Sequence, residues 1–114
     1  MTHRKAAPKH LSRSSAALWR RIQREFDLEP HEIPLLKAFC ESVDRAEEAR
    51  RAVADEGAYY HDFRQQPKPH PALREERDSR LAASRLLREL RLAKRKSTEE
   101  RSTETLPEWL KGLD

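Results

Sequence analysis

Residues 57–71 constrain this chain more than any other stretch. They hold one of its two glycines and three of its seven prolines, while residues 35–56 and 72–106 contain neither type. Proline fixes φ and has no N–H to give a helix. It also pushes the residue before it towards extended backbone. Gly57 therefore reads as a helix stop. Gln66, Lys68 and His70 each precede a proline and are expected to be extended, and Pro71 suits a first helical position, where a missing N–H costs nothing. The pattern predicts two long helices joined by a stiff connector. Tyr59, Tyr60, His61 and Phe63 leave room for a short β element within residues 58–66, or for a cover over the helix ends.

The apolar spacing on either side agrees. A first helix is expected from Ser12 or Ser14, either of which can cap free backbone N–H groups. At 100° per residue, Trp19, Ile22 and Phe26 share a face with Leu18, while Arg13, Arg20 and Arg24 lie opposite, with Arg21 beside them. That basic side reads either as a solvated face or as a stripe contacting phosphates. Residues 27–34 form a connector with Pro30 and Pro34. The second helix runs to about Glu56, with Leu36, Phe39, Val43, Ala46 and Val53 inward and Glu41, Asp44, Arg45 and Glu48 outward. The third is expected over residues 71–94, with Ala83, Leu86, Leu87 and Leu90 as its stripe. Arg74, Arg77, Arg85, Arg88 and Arg91 cluster on its other side. They read either as DNA contacts or as partners of the acidic face of helix two, in the same or a neighbouring subunit. The fold class expected is all-α: a short N-terminal helix and a long antiparallel helical hairpin. Trp19, Ile22, Phe26, Leu36, Phe39, Val43, Ala83, Leu87 and Leu90 are its expected core and subunit-contact residues.

Charged residues make up 39% of the chain and hydrophobic residues 36%. So little apolar material balances the ordering of 114 residues poorly, and self-association is expected. Charge is segregated: residues 1–24 carry a net +7, residues 25–57 a net −6, residues 58–96 a net +6 and residues 97–114 a net −3. Two basic blocks around an acidic one suggest a polyanion partner or head-to-tail subunit contact. Arg4, Lys5 and Lys9 lie in a basic arm, residues 1–11, expected to be disordered. The helical domain covers residues 12–94 and a polar linker residues 95–105. Residues 106–114 form an amphipathic tail, in which Leu106, Trp109, Leu110 and Leu113 follow i, i+3, i+4, i+7 spacing, for docking on a partner or on the parent domain.

The pattern also excludes chemistry. Two glycines cannot make a phosphate-binding loop. The five histidines are scattered, and paired acids such as Glu47/Glu48 and Glu75/Glu76 sit on charged helix surfaces. No catalytic residue, metal site or cofactor is expected. Cys40 alone allows no internal disulfide and reads as a packed thiol. No apolar run approaches the roughly 20 residues that span a bilayer, so a soluble, intracellular protein without a membrane partner is expected.

One ordered series carries a resemblance: Leu18-Trp19-Arg20-Arg21-Ile22, Leu28, Leu35-Leu36, Phe39-Cys40-Glu41, Asp44-Arg45-Ala46-Glu47-Glu48-Ala49, Gly57, His70-Pro71-Ala72-Leu73 and Leu86-Leu87-Arg88-Glu89-Leu90. Over residues 11–92 it resembles a phage terminase small subunit, most specifically in the step from Gly57 to His70-Pro71-Ala72-Leu73. The resemblance implies a non-enzymatic DNA-packaging adaptor in the host cytoplasm. Such an adaptor binds viral double-stranded DNA, assembles as a homo-oligomeric ring, and recruits and regulates a large terminase subunit that carries the ATPase and nuclease. The short N-terminal segment makes general DNA affinity the expectation, rather than recognition by a separate helix-turn-helix domain. The residues alone also admit a small helical transcriptional regulator, or a protein–protein adaptor that binds no DNA.

Overall fold

The computed structural model describes residues 4–92 and 107–111. Helix α1 spans Arg13–Glu25 and is opened by Ser12, whose extended backbone lets its hydroxyl accept the Ser15 N–H at 3.1 Å. The same cap is a tertiary joint. Asp44 accepts the Ser12 amide at 2.8 Å, the Ser12 hydroxyl at 2.6 Å and the Ser15 hydroxyl at 2.5 Å. A 3-10 turn, Pro30–Glu32, is held by the Glu29 amide donating to Glu32 Oε1 at 2.8 Å. It leads into α2, Ile33–Glu56, with Pro34 harmless in the first turn. Gly57 closes α2 at φ 89°, its N–H donating to Val53 O at 2.8 Å.

The connector is a β-hairpin. Strand β1, Tyr59–His61, pairs antiparallel with β2, Pro67–Pro69, in the register Tyr59–Pro69, Tyr60–Lys68, His61–Pro67. The sequence reading confined any β element to residues 58–66. The second strand lies beyond it because an outer strand tolerates proline on the side that donates no ladder bond. Among the described residues the chain is mostly helical, with one small two-stranded sheet in the connector, where a short β element was expected as an option. Helix α3, Pro71–Leu90, begins at His70, whose Nδ1 accepts the Ala72 N–H at 2.9 Å. That acceptor role leaves the ring proton on Nε2, which meets Glu56 Oε1 at 2.8 Å. The end of α2 and the start of α3 are joined at this point.

α2 and α3 pack antiparallel along their length. Leu36, Phe39 and Cys40 meet Ala83, Leu87 and Leu90, and α1 closes the far end with Trp19, Ile22 and Phe26. Eight of the nine expected core residues are buried, and Val43 is half-buried against the cluster. Each buried large aliphatic or aromatic side chain contributes about 1.5–3 kcal/mol. Leu11, Leu28, Leu92 and Leu110 complete the core and were not in the expected set.

Two segments differ from expectation. α3 stops at Leu90 rather than near residue 94, because Arg91 turns left-handed at φ 52° and carries Leu92 back into the core. Of the arm expected to be disordered, residues 4–11 lie along α1, with Leu11 buried. A four-residue helix, α4, Glu108–Lys111, seats Leu110 at 0% exposure in the same core. The expected linker, Leu106 and Leu113 lie outside the described residues.

Candidate nucleic-acid interface

Every arginine and lysine singled out from the sequence is exposed, but not all stand in the same setting. The best-defined group is built by the N-terminal segment on α1. Trp19 Nε1 and Gln23 Nε2 each donate to the Lys5 carbonyl at 2.9 Å, and the Lys5 amide donates to Gln23 Oε1 at 2.9 Å. These three bonds hold backbone, so both cationic side chains of Arg4 and Lys5 stay outside. They lie beside Arg20 and Arg24, and the four line one groove of about 580 Å³ floored by Ala6, Ala7 and Gln23. The lining contains no acid, and none of the four forms an ion pair within 4 Å among the described residues. A polyanion would meet positive charge there with no carboxylate in the lining.

Arg13 extends that face towards the start of α1, and Lys9 is exposed on the incoming segment. Arg21 is set apart. It pairs with Glu25 at 2.8 Å and lies over the Trp109 ring at 4.0 Å, while Trp109 Nε1 donates to Glu25 at 3.3 Å. The Arg21 hydrogen bond, aided by Trp109, holds the Glu25 carboxyl below its usual range despite some desolvation. Of the two docking sites expected for the tail, partner or parent domain, Trp109 and Leu110 occupy the parent domain in this structure.

A second basic surface follows α3. Arg74, Arg85, Arg88 and Arg91 have no ion pair among the described residues, and Arg77 has only a loose one with Asp78 at 3.9 Å. Intrachain pairing of these arginines with the acidic face of α2 does not occur among the described residues. Glu47 goes to Arg50 and Arg51, Asp44 to the α1 cap, and Glu41 to His10 at 2.6 Å. Arg74 and Arg77 also border a depression of about 440 Å³ with Pro69, His70, Pro71 and Leu73. Leu81, 59% exposed, lies within the same helical stripe.

The sequence missed Gln23, whose amide anchors the arm; its only signal was a polar residue beside Ile22 on the buried side of α1. Cys40 is buried, and burial, reinforced by Asp44 and Glu41, pushes its thiol up to about 12, which suits packing and not nucleophilic attack. Among the described residues no three His, Cys, Asp or Glu are grouped to hold a metal, and no helix is long and apolar enough to cross a membrane.

Open basic surfaces on a helical hairpin define a charged binding scaffold. More particularly, the chain belongs to the phage terminase small subunit family, whose model, described as phage terminase, small subunit, matches residues 16–104. No curated protein and no solved structure matches it. Subunits of this family are generally non-catalytic and regulatory or DNA-binding. Membership supports a role in phage DNA packaging, which takes place inside the host cell, with DNA and the large terminase subunit as the family's general partners.

Proposed function

We propose that this chain binds duplex DNA through its phosphates, assembles as a homo-oligomeric ring, and recruits and regulates the large terminase subunit. The observation that carries the DNA reading is the groove in which Arg4, Lys5, Arg20 and Arg24 converge with no acid in its lining. Guanidinium groups match phosphate oxygens in pairs, and such contacts position DNA without reading its sequence. One groove is a weak site. Repeated around an oligomer, with Arg13 and Arg21 and the α3 arginines adding charge, it becomes a strong and salt-sensitive surface. The thin core and the exposed Leu81 support burial between subunits. Trp109 and Leu110, with Leu106 and Leu113, are the segment proposed to engage the large subunit. In the described state Leu110 is in the core, so engagement entails undocking α4.

The test is a salt titration of duplex binding. The wild-type protein is expected to lose affinity steeply as salt rises. Arg20→Glu with Arg24→Glu is expected to flatten the slope by about 0.9 per lost phosphate contact. Unchanged binding after that double reversal would leave a protein–protein adaptor as the better reading. Native mass measurement separates a ring from the dimer expected of a transcriptional regulator, and deletion of residues 106–114 tests the tail against the large subunit.

A further inference from the structure

The β-hairpin between α2 and α3 has no role in the groove or the core, yet it is exposed and closely braced. Its turn is locked by Asp62. One carboxylate oxygen accepts the Arg64 and Gln66 amides at 2.8 and 2.9 Å, and Asp62 also exchanges backbone bonds with Gln65 and Gln66. Gln65 is left-handed at φ 61° to complete the turn. At the base, the His70 amide donates to Ala58 O at 2.8 Å. This rigid loop presents Phe63 at 88% exposure, with the Arg64 guanidinium 5.3 Å from its ring centre. An aromatic ring held in water by a preordered turn loses little entropy on binding.

The composition of the tip points to its occupant. Arg64, Gln65 and Gln66 supply hydrogen-bond donors, and Lys68 adds positive charge just behind them. The one acid of the tip, Asp62, binds backbone amides through one oxygen, and Arg64 and Lys68 together outweigh its charge. Donors flanking an apolar wedge suit the minor groove of duplex DNA, where A·T pairs offer only acceptors and inserted apolar side chains unstack and bend the helix. The outer edge of β2 is closed to strand addition. The antiparallel register turns the backbone nitrogens of Pro67 and Pro69 to the outer side of β2, and neither carries a proton.

We infer that the hairpin tip is a second DNA contact, with Phe63 as a minor-groove wedge and Arg64 as its phosphate partner. This rests on the DNA-binding reading above and assigns it an element apart from the basic groove. The experiment uses the full chain and a dye-labelled, A·T-rich duplex of about 30 base pairs, read for affinity and for bending by energy transfer. Phe63→Ala removes no charge and no buried contact. It is expected to weaken binding about tenfold, within the range seen when a base-stacking ring is removed, to abolish the bend, and to leave the salt slope unchanged. Arg64→Ala is expected to lower the slope by about one. A small molecule that fills the A·T minor groove should compete with the wild-type protein and not with Phe63→Ala. Wild-type affinity and bend retained in Phe63→Ala would overturn the wedge while leaving the groove reading intact. A smaller native mass for Phe63→Ala would also overturn it, making the hairpin a subunit contact. A wild-type protein with no duplex affinity at low salt would remove both readings together.

Discussion

Asp44 shows how much one side chain can join. Burial alone would raise its carboxyl, but the Ser12 hydroxyl and amide and the Ser15 hydroxyl outweigh that and hold it below its ordinary value. A carboxyl lowered in the folded state adds stability above its unfolded pKa, and that contribution is lost as pH falls through the lowered value. Asp44→Asn is therefore expected to cost about 2 kcal/mol at neutral pH. The gap to wild type should narrow below about pH 4, the ordinary carboxylate range. Urea unfolding at a series of pH values checks this, and a gap independent of pH would mean that the carboxylate charge is irrelevant to the joint. Ser12 as a cap was legible from the sequence, since it precedes a periodic apolar run. Its partner in α2, 32 residues away, was not, because nothing local marks which acid of an acidic face turns towards the cap.

The elements were legible where local chemistry ends them. Gly57 stops α2 and Pro71 starts α3 as their backbone preferences require. Gly57, at φ 89° and ψ 154°, occupies a region closed to other residues. A Cβ there would meet nothing nearer than Tyr59 O at 3.7 Å, so the cost of Gly57→Ala is backbone strain alone, about 1–3 kcal/mol. Thermal unfolding of that variant measures it, and an unchanged midpoint would show that the hairpin entry relaxes freely. The end of α3 was illegible because its stop is Arg91, a residue that ordinarily continues a helix. Burial of Leu92 outweighs its left-handed strain, and only packing reveals that.

At the scale of the whole molecule, the tail changes the picture most. Leu110 is fully buried beside residues from three helices, and Trp109 joins Arg21 and Glu25. Leu110→Ala is expected to cost about 2–5 kcal/mol, as for other buried leucines. Denaturant unfolding followed by tryptophan fluorescence reads this directly. A cost near zero would place the tail off the domain in solution and favour its reading as a free partner-binding arm. The docked tail also places one candidate DNA contact, Arg21, under Trp109, so tail release and polyanion binding share a residue.

By itself the sequence determined the helices, their apolar faces, the stiff connector, the exposed arginines and the family, because these follow from periodicity, Gly and Pro preferences and ordered local motifs. Tertiary structure alone decided that Arg4 and Lys5 join Arg20 and Arg24 in one groove. It also decided that residues 4–11 and α4 dock on the domain, and that the connector projects a rigid aromatic tip. Each of those depends on a contact across the chain, such as Trp19 and Gln23 on Lys5 or Leu110 in the core. The residues that make such contacts carry no periodic signal of their partners, and the energy that selects them exists only once the helices have packed.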